Sequence, residues 1–355
     1  MRWNRADLMF LVVVTIVVAV AIVFHHARPV EPAVVTKDGK HKKHKGPAAP
    51  AYARDWSRFP AVVLRETGEE VVALGDVHGG YDRLAALLAR GGLLRAQPGG
   101  PEKQAWTGGR RMLVCTGDLI NKGSQSIEAL ELMMSLQKQA AAGGGEVIVT
   151  FGNHEAEFLA NPNKKKQTEF RDELSARGIE ATEVIEGDDA YGEWILNLPI
   201  AAKVNGWFFA HAGNTGGATL DEIAKSFRDV VGRGDWRSPF LIGDDSLLES
   251  EKWWEHGKAL AADLQAVDAA HIVFGHDPGA AHEKGTIDVR HHGEVFIIDV
   301  GMSPAIDYSQ GAVLLIDRKG GEDVATSLDA SGARKELWRG ARVSSPSAPS
   351  PRPAS

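Results

Sequence analysis

Three times between residues 71 and 155 a short apolar run breaks into a glycine-containing loop that holds acid, amide or imidazole groups. Val71-Val72-Ala73-Leu74 runs into GDVHGG at 75–80, Met112-Leu113-Val114-Cys115 into TGDLINKG at 116–123, and VIVTF into GNHE at 152–155. Leu84, Leu87 and Leu88 share one face of a helix that starts near Tyr81, and Ile127, Leu130 and Met134 share one face of a second. Strand, loop and helix repeated in this way predict an α/β fold with a layered core. Its chemistry is expected at the carboxyl ends of the strands.

The later sequence is richer in strand. IAAKV at 200–204 and WFFA at 207–210 flank Asn205-Gly206, a dipeptide that suits a two-residue hairpin turn. The second of these runs ends in His211-Ala212-Gly213, and IVF at 272–274 ends in Gly275-His276-Asp277. VFII at 295–298 and AVLLI at 312–316 are expected to complete a second sheet.

Five strand ends therefore deliver Asp76, His78, Asp118, Asn153, His154, His211 and His276. Carboxylate oxygen together with imidazole nitrogen suits Mn, Fe or Zn. The single cysteine, Cys115, excludes an intrachain disulfide and a thiolate-rich zinc site. One bridging Asp with a further Asp, an Asn and three His is enough for two metal ions, which can clamp a phosphate for in-line displacement. A lone histidine after a strand is usually structural, and a lone Gly-Asp is usually a turn. Five such loops in order argue against that reading. The remaining histidines, Asp188-Asp189, Asp244-Asp245 and Lys164-Lys165-Lys166 read as ordinary structural or solvated groups.

Taken together, GDVHG, GDLINKG, GNHE, HAG and GH resemble the ordered motifs of calcineurin-like metallophosphoesterases of the phosphoprotein phosphatase type. Within that type the chain is most similar to the bacterial Shewanella-like phosphatases. LNLPIAAKVNGWFFAHAG and IIDVGMSPAIDYSQGAVLLID extend the likeness to about residues 68–317. The resemblance implies an α-β-β-α sandwich with a dinuclear site. Asp76, His78 and a bridging Asp118 would hold the first ion, and Asn153, His211 and His276 would complete the second. Mn2+ is the ion expected in vitro, with Fe or Zn as alternatives. The implied activity is hydrolysis of phosphomonoesters, on phosphoprotein (Ser/Thr or Tyr) or a small phosphoester, by a hydroxide that bridges the metals. His154 would be the general acid, since an alkoxide leaving group needs a proton that an unligated imidazole can supply.

One loop departs from the family pattern. The usual GDxVDRG reads GDLINKG, with Asn121 in place of the Asp that supports the histidine acid and Lys122 in place of Arg. Asn121 can accept a hydrogen bond but adds no charge. Lys122 offers a point charge where Arg offers a planar fork, and with Asn153 it is expected to orient the phosphate. A second family arginine is expected after HAG, where Arg233 and Arg237 lie nearby. NKG is also similar to the ApaH-like phosphatases, which makes a dinucleoside polyphosphate or pyrophosphate hydrolase the enzymatic alternative. A catalytically impaired, membrane-tethered binding protein is a third reading, opposed by the complete ligand set.

The chain ends read differently. LMFLVVVTIVVAVAIVF at 8–24 is apolar except for Thr15, and as a helix it would rise ~26 Å, close to the ~30 Å hydrocarbon core. Arg2 and Arg5 precede it, and His25-His26-Ala27-Arg28-Pro29 makes a poor cleavage site. Residues 1–26 are therefore expected to form an uncleaved, single-pass transmembrane anchor; a cleaved signal or a buried helix is the alternative. Basic residues on both sides divide the positive-inside vote, and an extracytoplasmic (periplasmic) catalytic domain is the expectation.

Residues 27–55 read as a basic Pro/Lys/His linker, 56–338 as the catalytic domain, and 339–355 as a disordered Ser/Pro-rich tail. HKKHKG at 41–46 reads as a solvated tether, with a metal or an anionic lipid surface as its alternative ligand. Residues 1–58 hold a charge of +6 and residues 334–355 hold +4, so a total of −7 leaves −17 between them. So acidic a body gives no reason to expect a nucleic-acid partner.

Overall fold

The computed structural model describes residues 52–342. The apolar run at 8–24 lies outside them, and among the described residues no helix is long and apolar enough to cross a membrane.

The first half alternates as the sequence predicts. Strands β1 (Val62–Arg65) and β2 (Val71–Leu74) lead to α1 (Tyr81–Arg90), a small hairpin of β3 (Leu94–Arg95) and β4 (Ala105–Trp106), then β5 (Met112–Cys115), α2 (Ser126–Ala142), β6 (Glu146–Val149) and α3 (Asn153–Ala160). Three more helices follow, α4 (Thr168–Ala176), α5 (Ala181–Glu186) and α6 (Ala190–Leu196), and then the hairpin β7 (Ala201–Val204) and β8 (Trp207–Ala210). The chain closes with α7 (Leu220–Arg233), α8 (Gly257–Ala266), β9 (His271–Phe274), β10 (Asp288–Arg290), β11 (Val295–Ile297), β12 (Ala312–Lys319), β13 (Glu322–Asp329) and β14 (Arg334–Ala341).

These strands form two six-stranded sheets, in the orders β1-β7-β8-β9-β11-β10 and β14-β13-β12-β2-β5-β6. Helical crossovers force β2, β5 and β6 to run parallel, and β2 and β5 are buried along their whole length. Val204 pairs with Trp207 across the expected Asn-Gly turn, where Asn205 takes a positive φ of 55°. The sheets meet across the core. Trp207 on β8 donates its indole N–H to Asp323 on β13 at 3.0 Å, and His211 reaches the carbonyl of Thr116.

Two expectations are corrected. AVLLI does not join the second sheet: β12 pairs antiparallel with β2, placing Leu314 opposite Ala73, and so extends the first. Sheet membership is a long-range pairing that a local apolar run does not encode. The fold also exceeds residues 56–338 at both ends. Arg54, assigned to the linker, is buried and donates to the carbonyls of Phe59, Pro60, Leu196 and Leu198, while β14 continues to Ala341.

Candidate metal centre

All seven groups expected from the strand ends face one another. Asp76 and His78 follow β2, Asp118 follows β5, Asn153 and His154 open α3 just after β6, His211 follows β8, and His276 follows β9. Six non-glycine residues of these loops, Asp76, His78, Asp118, Asn121, Lys122 and His276, have positive φ. Such left-handed backbone costs about 1–3 kcal/mol per residue and persists where the surroundings over-determine it. Close approach explains two of the glycines. A methyl group at Gly275 would overlap a carboxylate oxygen of Asp76, and one at Gly152 would overlap Oδ1 of Asp118.

Asp118 lies at the centre. Its Oδ1 accepts the N–H of His154 at 2.9 Å, while Oδ2 faces Nε2 of His78 at 3.4 Å and Nε2 of His211 at 3.5 Å. The ligand atoms fall into two groups, each within 4.8 Å: Asp76, Asp118 and His211 in one, and His78, Asp118 and His154 in the other. Asp118 belongs to both, as a bridging ligand would. Asp76 and His211 share one group, and His78 stands in the other. His276 adjoins the first group, with Nδ1 3.3 Å from Nε2 of His211 and its backbone N–H shared by both Asp76 oxygens at 3.0 Å.

The hydrogen bonds fix the tautomers. Nδ1 of His211 lies 2.9 Å from the Thr116 carbonyl and Nδ1 of His78 lies 3.1 Å from that of Ile120. A carbonyl only accepts, so both Nδ1 atoms hold hydrogen and both Nε2 lone pairs turn inward. The His211 lone pair then faces the Asn153 side-chain oxygen at 3.0 Å, while Glu249 takes the Asn153 amide hydrogen. Acceptors that converge with no hydrogen between them are stable around a cation and repel one another without one. The donor set of oxygen and imidazole nitrogen thus fits two divalent ions.

The metal-free electrostatics show the same strain. Burial, then the charges of Asp299 and Asp118, push Asp76 well above the usual carboxylate range. Burial raises Asp118 to about 7 and Asp299 to about 7, and lowers His211 and His276 to about 3. His78 and His154 are also held well below the ordinary imidazole value by burial.

Lys122 is close at hand, its Nζ 3.2 Å from Nε2 of His78. Asn121 does not support His154 as expected. Its Nδ2 donates to Gln167 Oε1 at 2.7 Å and its Oδ1 accepts from the N–H of Phe170 at 3.3 Å, while Nδ1 of His154 meets no partner among the described residues. Arg237 is bound to the carbonyl of Ala160 at 3.0 Å.

Two acids were missed. Glu155, buried in the GNHE motif, accepts the N–H groups of Asp118 and Gly152 at 3.0 Å, of Leu119 at 2.8 Å and of Ile120 at 3.4 Å, and so shapes the loop that presents Asp118. Asp299, itself buried, is close enough for its charge to add to the burial that pushes up the Asp76 carboxyl. Its signal was available, since it closely follows a strand in a glycine-containing loop, like the other site acids.

Residues 70–297 match the family model for calcineurin-like phosphoesterases. The chain belongs to that family. It is a metal-dependent phosphoester hydrolase with the family's α/β fold. Shewanella-like protein phosphatase 1 of Plasmodium berghei (strain Anka) is 25% identical over 271 residues, covering 68% of this chain and 69% of that protein. A symmetrical bis(5'-nucleosyl)-tetraphosphatase of Mannheimia succiniciproducens is 28% identical over 169 residues, 46% of this chain and 52% of that protein. The crystal structure of a cold-active protein-tyrosine phosphatase from a psychrophilic Shewanella species superposes with a TM-score of 0.63 at 23% identity, over 78% of this chain and 82% of that one, a likeness of fold.

Proposed function

We propose that the chain hydrolyses phosphomonoesters on phosphoproteins, at Ser/Thr or Tyr. The observation that supports this most is the shared Asp118 carboxylate between His78 and His211, each with its lone pair turned inward. Asp76, His78 and Asp118 would hold one ion, and Asn153, His211 and His276 would complete the other with Asp118 shared; the ions would be Mn2+ in vitro, with Fe or Zn as alternatives. When bound, the ions supply Lewis-acid charge for phosphoryl oxygens and acidify a water enough to attack phosphorus near neutral pH.

The chain's own groups do the rest. Asn153 and Lys122 orient the phosphate oxygens. His154 delivers a proton to the leaving oxygen. Burial holds its imidazole neutral, and an arriving phosphate dianion favours its protonated form. The nucleophile is water, so no phosphoenzyme forms. Residues 8–24 are proposed to tether the chain to a membrane with this domain on the extracytoplasmic side.

The protein phosphatase relative supports a phosphoprotein substrate, and the charge of −17 between the basic ends opposes a polyanion. A dinucleoside polyphosphate substrate is the second reading, favoured by the NKG loop and the tetraphosphatase relative. The test is the metal-stripped full-length chain reloaded with Mn2+ and given para-nitrophenyl phosphate, phosphopeptides and diadenosine tetraphosphate in parallel. Release from the first two with the dinucleotide untouched is expected. Preferred cleavage of the dinucleotide would replace this reading with the second.

A further inference from the structure

The lysine run at 164–166 reads from sequence as solvated loop charge. Its surroundings are different. Asn121, in the loop that presents Asp118 and Lys122, is bonded through its side chain to Gln167 and Phe170. Gln167 is fully buried, so the turn Lys165–Gln167 is fastened directly to the metal-centre loop. Lys166 in that turn is ion-paired with Glu157, and Lys164 lies 3.7 Å from the same carboxylate oxygen.

Glu157 lies four residues after Asn153 and three after His154 on α3, which places all three on one helix face. It is 2% exposed, and its second oxygen, Oε2, has no partner among the described residues. A buried carboxylate is tolerated only when cations match it. Both matching ammonium groups belong to side chains about half exposed, at 43% and 45%, so a buried acid on the helix of Asn153 and His154 holds positive charge that reaches solvent. Meanwhile Arg237, near where a second arginine is expected, is occupied by a backbone carbonyl.

We propose that Lys166, parked on Glu157, is a second cationic grip on the substrate's phosphoryl oxygens and works with Lys122 where family members use arginine. This rests on the phosphatase reading above. Glu157 follows Asn153 by about one turn of α3, a rise of roughly 5.4 Å, which is within the reach of a lysine side chain. Burial raises the Asp118 carboxyl and holds down His154, and the charge of Lys166 opposes the first in small part and adds to the second.

The test measures inorganic phosphate binding to the Mn2+-loaded full-length chain by calorimetry, so it does not depend on which ester the enzyme prefers. Lys166→Met should weaken phosphate about tenfold, which is about 1.4 kcal/mol. The double variant Glu157→Gln/Lys166→Met leaves no unpaired buried acid and should show the same loss with a normal fold. Lys166→Arg should bind as the wild type does, and Lys165→Met should have no effect. With para-nitrophenyl phosphate the loss should appear in KM, with kcat within about threefold. Unchanged phosphate affinity in the double variant would overturn the assignment. Absence of all phosphomonoesterase activity in the wild type would instead remove the functional reading, while calorimetry would still decide the role of Lys166.

Discussion

Nε2 of His211 and the side-chain oxygen of Asn153 face each other across 3.0 Å, with a lone pair on each side. The Thr116 carbonyl holds the only ring hydrogen of His211 on the opposite nitrogen. With Asp76 and Asp118 buried beside them, the metal-free site stores electrostatic repulsion that a cation relieves. Asp76→Asn should therefore abolish activity, at least a hundredfold, and lower bound metal. It should leave the metal-free protein as stable as wild type or more so, because a crowded buried acid is gone. Metal analysis and thermal unfolding in chelator check both parts; a destabilised metal-free variant would contradict the account.

His154→Asn separates proton delivery from metal binding. Metal content should persist. Hydrolysis of an alkyl phosphate should slow by about 10²–10⁴-fold, and that of para-nitrophenyl phosphate much less, because an aryl oxide leaves without a proton. Equal slowing of both would remove the acid role. Lost metal would instead make His154 a ligand, since it shares a 4.8 Å cluster with His78 and Asp118.

Metal affinity should fall as pH falls through neutrality. Asp118 titrates at about 7 in the metal-free protein and Asp76 is raised as well, chiefly by burial. Above that range Asp118 is ionised and receives a cation directly, while Asp76, held up by burial and by the charges of Asp299 and Asp118, gives up its proton to the ion. Below it each ion must first expel protons, so affinity weakens by up to about tenfold per proton and pH unit. Calorimetry at pH 8 and pH 6, in buffers of different ionisation enthalpy, reads the proton count. No proton release at pH 6 would show that the site acids are ionised there.

Glu155→Gln should cost about 2 kcal/mol or more of stability, because an NH2 group would face backbone N–H donors that now share a carboxylate. Urea unfolding measures it. A neutral result would mean that the Asp118 loop does not depend on this acid.

Cys115 is fully buried on β5, and burial pushes its thiol far above the usual range. It should resist thiol reagents in the native state and react once in denaturant. Rapid native labelling would show that β5 opens.

The site was legible because each ligand sits where a short strand ends in a glycine loop, a pattern local enough to read by eye. What could not be read depends on contacts between distant segments. β12 looks like any buried strand until its register with β2 is known, and Arg54 looks like linker until four carbonyls close around it. Lys166 is one lysine among three; only the burial of Glu157, nine residues earlier, distinguishes it. Analogy pairs Asn121 with His154, yet packing gives it to Gln167.

The central claim is a two-ion centre that hydrolyses phosphate esters, and a titration tests it most directly. Metal-free full-length protein is titrated with Mn2+ while bound ions and para-nitrophenyl phosphate hydrolysis are followed together. Two ions per chain, with activity absent in chelator and complete only at the second equivalent, is the predicted result. Full activity in chelator, or saturation of the centre without any phosphate release, would contradict it.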